Sequence, residues 1–413
     1  MPNAGRSLRI VMVLDDPPFS LGSAASRWYS VLCRGLVERG HRLTVLAAGG
    51  DPTTVERAQA EFAGSGLDLR CFEPDRRRGL AARWRTWRRP VAYRFGSALR
   101  AEFADLMTEP PDIVDLEATW TGWLEGWNPA RTVLSILSWN GLDLKNAPLG
   151  SWKDRLIRRS ILRSEQNLVK RFRWLRVCSD RLAEVVGRVN PGARVTTVPL
   201  GIDPGRYEWQ GDRRRSLDRP ATIGMIGSLF WWPSRAAALR LATRLGPLVQ
   251  ARRPGTVVRI VGWSARSVLS DLVDRPGLEI VENVPDPRPE FARLDVLVYA
   301  PPVGTGMKVK IQEALAMGIP VVTNSEGIEG LGASDGVEVG LAENDDDAAL
   351  VDRIVELLDD PTLAASRARA GRRLLETRCS PHATVEAVEA EFRLMDQLAS
   401  GRSKRRTLVG WRG

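Results

Sequence analysis

Short runs of aliphatic and β-branched residues alternate with stretches of helical period along this chain, and the whole alternation occurs twice. Ser7–Leu14 reads as a buried strand, Asp15-Asp16-Pro17-Pro18 and Gly22 as the loop after it, and Ala25–Arg39 as a helix in which Trp28, Leu32 and Leu36 recur at a spacing of four. Gly40 closes that helix ahead of a second strand, Arg42–Ala47. Further strands are expected at Leu67–Phe72, Ile113–Leu116, Thr132–Ser138 and Trp174–Cys178. After Thr197–Asp203 the pattern breaks, and Pro204–Pro220 is polar and aperiodic. It resumes with strands at Thr222–Ile226, Val257–Val261, Leu278–Val281, Leu294–Ala300 and Pro320–Thr323. Helices are expected between them at Ser234–Ala251, Arg266–Val273 and Met307–Met317, and after them near Ala348–Leu358, Leu363–Thr377 and Ala383–Leu398. Strand–helix–strand repeats of this kind close as a parallel sheet with helices on both faces. The expected fold class is α/β, with doubly wound domains at residues 1–203 and 204–382 and a last segment, 383–413, of one helix and a basic tail. Two such sheets in tandem leave a cleft at the carboxyl ends of their strands, where ligands bind.

Composition narrows the function classes. No apolar run approaches the roughly 20 residues that cross a bilayer, and Met1–Arg9 holds no apolar core of a secretory leader, so the cytoplasm is the expected location. Cys33, Cys71, Cys178 and Cys379 are scattered without a CxxC pair, and the chain has two histidines, which suggests neither a zinc site nor a disulfide framework. The formal charge of +10 comes with arginine clusters at Arg76–Arg78, Arg83–Arg89, Arg155–Arg176 and Arg402–Arg406. Three readings compete: a compositional bias towards arginine, contact with anionic lipid headgroups, and nucleic-acid binding. Trp84 and Trp87 among the arginines favour lipid over nucleic acid, because indole rings settle at headgroup level and no nucleic-acid module is visible.

The most informative stretch is Pro302–Val322, with Gly304, Thr305, Gly306, Met307, Lys308, Lys310 and Glu313 in its first half. A glycine-bearing loop there follows a buried strand and opens a helix, so backbone N–H groups and the positive helix end face a point where a phosphate can sit. Lys308 in the first turn reaches a second phosphate oxygen, although a solvated lysine is the alternative. Lys310 and Glu313 share a helix face, and a carboxylate one turn in can accept from both hydroxyls of a ribose. The set suits a nucleoside diphosphate. An isolated strand–glycine–helix junction would not carry that reading.

The stretch is not isolated. Leu36–Val45, Val198-Pro199-Leu200-Gly201-Ile202-Asp203, Ile226-Gly227-Ser228, Val261-Gly262, Asn283-Val284-Pro285-Asp286 and Glu326–Leu331 accompany it in order and spacing. Together they resemble the signature of family 4 glycosyltransferases, retaining enzymes of the GT-B fold, over nearly the whole chain. The subgroup with glycines and basic residues in this loop is similar to exopolysaccharide-type sugar transferases. The resemblance implies two Rossmann-like domains facing a cleft, the first on the acceptor side and the second holding a nucleotide sugar, with the last helix crossing back to the first. It implies that Gly227, Ser228, Gly304, Gly306, Met307 and Lys308 surround the donor diphosphate, Glu282 and Val284 the base, and Glu313 the ribose. Gly22, Ser23, Arg27 and Trp139 fall on the acceptor and phosphate side, Arg27 being equally readable as a surface arginine.

The sequence departs from the family's pattern at two catalytic positions. Thr305 stands where the family has a glutamate against the transferred sugar, and Asn140, in Trp139-Asn140-Gly141-Leu142-Asp143, where it has a histidine. The basic residues usual after Gly227 are also replaced, with Ser228 at the first place. The implied activity is retaining transfer from a nucleotide sugar to a glycan, lipid-linked or small-molecule acceptor, with no cofactor and no metal. Asp345-Asp346-Asp347 is expected to cap a helix rather than hold an ion. The alternative is a weakened protein of the same fold that serves as a sugar-binding, nucleotide-binding or partner subunit. Peripheral contact with an anionic membrane is kept as a partner expectation, and nucleic acid is not. Trp120, Trp123 and Trp127 are expected in core packing, with an acceptor platform as the rival reading. Trp231 and Trp232 sit where one of them could cover the base or sugar.

Overall fold

The structure is a computed structural model and describes residues 6–76, 79–211 and 219–401. Arg77, Arg78 and the basic tail from Arg402 lie outside the described residues. The first domain interleaves β1 (Arg9–Leu14), α1 (Ala24–Glu38), β2 (Arg42–Ala48), α2 (Pro52–Phe62), β3 (Asp68–Phe72), α3 (Gly79–Arg88) and α4 (Ser97–Leu106). It continues through β4 (Ile113–Leu116), β5 (Thr132–Ile136), α5 (Asn140–Asp143), α6 (Trp152–Val169), β6 (Trp174–Val177), α7 (Asp180–Val189) and β7 (Arg194–Thr197). The second begins with β8 (Thr222–Ile226), α8 (Trp232–Arg240), α9 (Gly246–Arg252), β9 (Val257–Val261), α10 (Ala265–Val268), β10 (Leu278–Val281) and α11 (Arg288–Phe291). It ends with β11 (Val296–Tyr299), α12 (Val309–Met317), β12 (Val321–Thr323), β13 (Gly340–Leu341), α13 (Asp347–Asp359), α14 (Pro361–Arg378) and α15 (Pro381–Ala399).

Among the described residues the strands form two parallel sheets, ordered β3-β2-β1-β4-β5-β6-β7 and β10-β9-β8-β11-β12-β13. In β1, Ile10 to Leu14 are all buried, the continuous apolar run that a parallel strand covered on both faces requires. The strand order reverses beside β1 and β4 in one sheet and beside β8 and β11 in the other. Loops leaving those carboxyl ends therefore border the crevice in which doubly wound folds bind ligands.

Several local expectations shift for physical reasons. β7 was hidden because it is an edge strand with only half-buried side chains, so it lacks a strong apolar run. The helix expected over Ser234–Ala251 is interrupted by a π-helical turn at Leu241–Leu245, just before Gly246 and Pro247, whose ring nitrogen has no hydrogen to donate. The helix expected from Met307 starts at Val309, because Gly306 is left-handed at φ +76° and Lys308 is extended. Asp346 caps α13 through the Ala349 N–H at 2.8 Å, while Asp347 pairs with Arg240 and Arg244.

The last helix, α15, lies on the first domain. A Cβ on Gly35 of α1 would press into the methyls of Val385, so glycine sets how closely α1 and α15 approach. Beneath that contact Arg176 of β6 is fully buried and meets Asp115 at 3.0 Å, Glu117 at 2.8 Å and Glu391 of α15 at 2.6 Å. Burial pushes the carboxyls of Asp115 and Glu117 upward, and Arg176 opposes that shift. Removing one partner of a buried ionic group typically costs about 3–5 kcal/mol. Arg176→Leu, which strands three carboxylates, is expected to lose about that much in urea unfolding.

Candidate active site between the domains

The loop joining β11 to α12 meets the segment after β5. At Gly306 a Cβ would land on the carbonyl oxygen of Leu137, so glycine here lets two backbones from different domains touch. Thr305 completes the seam. Its Oγ1 accepts the Trp139 N–H at 2.7 Å and donates to Asp143 at 2.8 Å, and its own N–H reaches the same Asp143 oxygen at 2.6 Å. Burial raises the Asp143 carboxyl to about 6 against the pull of those bonds. The second carboxylate oxygen of Asp143 is buried with no partner among the described residues.

Asn140 opens α5 and spends its side chain on Glu165. The carboxylate takes the Asn140 backbone and side-chain N–H groups, both at 2.8 Å, and the Gly141 N–H at 3.1 Å. Burial raises Glu165 to about 7. Asn140 is thus an orienting residue of the α5 start, and Trp139 presents its backbone rather than its ring to Thr305.

On the donor side, Lys308 is the N-cap residue of α12 and folds back on its own loop, its ammonium on the carbonyls of Gly304 at 3.4 Å, Thr305 at 3.2 Å and Gly306. Lys310 instead points towards the loop after β8. It donates to Ser234 at 2.7 Å and stands 4.0 Å over the Tyr299 ring. A Cβ on Gly227 would sit 2.8 Å from its ammonium, so that glycine makes room for this lysine. Burial, and then the charge of Lys308, lowers Lys310 to about 7. Ser228 is exposed in the same loop, and α12 has no side-chain cap; the Ile311 and Gln312 N–H groups of its first turn go to the Lys308 carbonyl at 2.9 and 3.3 Å.

Glu313 is buried and paired across the domains with Arg27, and it accepts a 3.3 Å bond from the Tyr207 hydroxyl. The Gly304 N–H is taken by Glu326 at 2.9 Å, and Glu326 also binds Arg181 at 2.8 Å. Arg181 reaches Glu329 at 3.2 Å, and Ser179 donates to Glu329 at 2.6 Å. Met307 receives the Leu200 N–H on its sulfur at 3.0 Å. Glu282 accepts from the Arg266 N–H at 3.2 Å, and Val284 packs half-buried beside it in sequence. Gly22 and Ser23 serve the start of α1: a Cβ on Gly22 would crowd Ser26 at 2.7 Å, and Ser23 caps the helix through the Ser26 N–H.

The structure therefore gathers Thr305, Asn140, Trp139, Gly304, Gly306 and Lys308 at one seam, and Arg27 with Glu313 at its other end. Gly22 and Ser23 act locally. Sequence reasoning passed over Asp143, Glu165 and Tyr207, whose partners are distant in the chain, and left Lys310 without a role although its place on the Glu313 face was readable. Trp127 stacks on Phe172 with centroids 4.4 Å apart, and the Trp123 indole donates to the Pro90 carbonyl at 2.8 Å, so both pack against their own domain.

Two parallel-sheet domains that meet through their carboxyl-end loops, with an uncapped helix start at the junction, are the GT-B architecture. Residues 25–206 match the family described as Glycosyltransferase Family 4, and residues 220–360 match Glycosyl transferases group 1. The chain belongs to the glycosyltransferases and is family 4-like within them. No curated protein matches it in sequence. Among solved structures it is similar to sucrose-phosphate synthase from Thermosynechococcus elongatus, at 14% identity and TM-score 0.69 over 95% of this chain and 100% of that one. It is similar to Anabaena HepE in complex with UDP-glucose, at 14% identity and TM-score 0.65 over 93% and 99% of the two chains. The α,α-trehalose 6-phosphate synthase of Burkholderia multivorans gives 13% identity and TM-score 0.64 over 99% and 100%.

The raised Asp143 carboxyl has a measurable consequence. Between the ordinary aspartate value and about 6, the folded state keeps a proton that the unfolded chain has released, so stability falls as pH rises through that window. Asp143→Asn keeps a carbonyl oxygen for Thr305 and removes the titration. Melting temperature measured from pH 4 to 7 is expected to decline less in this variant than in the wild type.

Proposed function

We propose that this glycosyltransferase moves a sugar from a nucleoside-diphosphate sugar to a hydroxyl acceptor with retention of anomeric configuration. The observation that carries the reading is the uncapped start of α12 with Lys310 aimed at the Gly227 loop and Glu313 one turn further on. The helix amides and Lys310 meet the diphosphate, and Glu313, released from Arg27, accepts from the ribose hydroxyls. Lys308 stiffens the loop by satisfying its carbonyls and sits behind the phosphates. Backbone around Glu282 and Val284 borders the base, and exposed Trp231 in the β8–α8 loop covers the base or sugar. HepE, solved with UDP-glucose, supports a donor of this class. The reading assigns no metal or cofactor.

In the transfer, the bond from the sugar's anomeric carbon to the diphosphate breaks and a bond to the acceptor oxygen forms on the same face. The acceptor's proton passes to the departing phosphate oxygen, so Asn140 is not asked to act as a base. Asp143 takes over the carboxylate duty that Thr305 lacks: Thr305 fixes one oxygen of Asp143, and the unpaired second oxygen, buried at the seam, meets a hydroxyl of the transferred sugar once the seam opens to admit it. The acceptor is a glycan, a lipid-linked molecule or a small molecule bound by the first domain.

A thermal-shift screen against UDP-, GDP-, ADP- and TDP-sugars is expected to find one donor class that raises the melting temperature. Lys310→Met and Glu313→Ala should each weaken that donor at least tenfold, about 1.4 kcal/mol; unchanged shifts in both variants would place the donor elsewhere. Because Lys310 loses its proton above about 7, donor affinity should fall as pH rises from 7 to 9. Thr305→Glu alone sets two carboxylates together and should abolish transfer, whereas Thr305→Glu with Asp143→Ser should recover it. Equal activity of the wild type and Asp143→Ser would remove Asp143 from the site.

A further inference from the structure

Two helices of the first domain hold large apolar side chains out into solvent side by side. Residues 151–157, at the start of α6, are all exposed, and Trp152 is 65% exposed with Leu149, Leu156 and Ile157 around it. α3 packs across α6, where the Ser160 hydroxyl donates to the Trp87 carbonyl, and it adds Trp84 and Trp87, both more than half exposed. Six of the thirteen exposed large hydrophobic residues among the described residues therefore fall on one face. Apolar side chains scattered singly need no account, but a contiguous patch does.

The charge around the patch identifies what covers it. From Lys145 to Arg163 the sequence has six basic residues and one carboxylate, Asp154, and from Gly79 to Arg89 it has four arginines and no carboxylate. The Arg88 guanidinium lies 4.6 Å over the Trp84 ring, and the Lys153 ammonium 5.8 Å from the Trp152 ring centroid. The centre of a protein–protein interface is depleted in charge, whereas here cations interleave with indoles across the whole face. That interleaving matches the headgroup region of an anionic bilayer, where indole rings settle and basic residues meet lipid phosphates. The patch also adjoins the cleft in the chain: α5, which carries Asp143, leads through residues 144–150 into α6. Arg158 ties that connection down on the carbonyls of Lys145 at 2.8 Å and Ala147 at 3.2 Å.

We propose that this face of α3 and α6 docks on a membrane surface bearing anionic phospholipid, and that the acceptor is lipid-linked and enters the cleft from that surface. The acceptor clause rests on the function proposed above; the docking clause does not. None of the described helices is long and apolar enough to cross a membrane, so the contact is peripheral.

The test is co-sedimentation of the full chain with phosphatidylcholine vesicles with and without phosphatidylglycerol. Binding is expected on the phosphatidylglycerol vesicles only, with release by salt and a blue shift of tryptophan emission. Trp84→Ser with Trp152→Ser, and separately Arg88→Glu with Arg155→Glu, should each lower partition about tenfold or more, since each interfacial base and indole adds to the attraction. Both pairs keep the basic tail, are exposed, and should leave the melting temperature and the nucleotide-sugar shift unchanged. Partition equal to wild type in both pairs, binding that ignores phosphatidylglycerol, or a dimer that Trp152→Ser dissociates would overturn the docking surface. Vesicle binding without any nucleotide-sugar shift would leave the surface standing and sink the transfer reading instead.

Discussion

The contact on which the rest of this molecule depends is the seam between Thr305 and the segment from Leu137 to Asp143. One side chain and two backbones settle there how the domains face each other. Glycine at 306 lets the loop of the second domain touch the end of β5, and the Thr305 hydroxyl fills the small space left with two hydrogen bonds. A glutamate at 305 would bring a second carboxylate against Asp143, which burial already holds up near 6. Threonine here and aspartate opposite thus form one solution, in which the negative group sits on the first domain. The same economy appears at α5, where Glu165 satisfies the helix start and the Asn140 side chain together.

How much of this was readable in the sequence follows from how local each signal is. The two-fold alternation of strands and helices and the cap within Asp345–Asp347 are written within a few residues of one another, and periodicity and turn chemistry expose them, whereas Ser23, expected on the acceptor side, turns out to cap α1. Edge strand β7 escaped because half-buried strands lack a continuous apolar run. The helical span after β8 is legible, since helical residues run from Trp232 to Arg252, but the π turn at Leu241–Leu245 inside it leaves no mark in the apolar spacing beyond Pro247. At the site the loop was located but its internal wiring was not. Lys308 looked like a phosphate ligand by position, yet carbonyl oxygens of its own loop lie closer than any outer group. Asp143, Glu165, Arg181 and Tyr207 matter through partners more than twenty residues away, and such pairings leave no trace in spacing.

The surface of the first domain divides in the same manner. Trp123 and Trp127 turned inward to pack on Pro90 and Phe172, while Trp84, Trp87 and Trp152, flanked by arginine and lysine, remained outside. The sequence marked the first pair of those outer tryptophans through the neighbouring arginines. Only the packing of α3 across α6 shows that Trp152 and its neighbours extend the same face.

The pairing of Arg27 with Glu313, and of Glu326 with the Gly304 amide, means that the groups proposed above for the donor are already engaged by the chain itself: a guanidinium on the carboxylate assigned to the ribose, and a carboxylate on an amide assigned to the phosphates. Under that proposal, inorganic phosphate or a free nucleoside would replace one of these internal partners but not both. Only a molecule carrying ribose and phosphates at the correct separation would displace the two together, and discrimination would then begin with eviction, before any chemistry takes place.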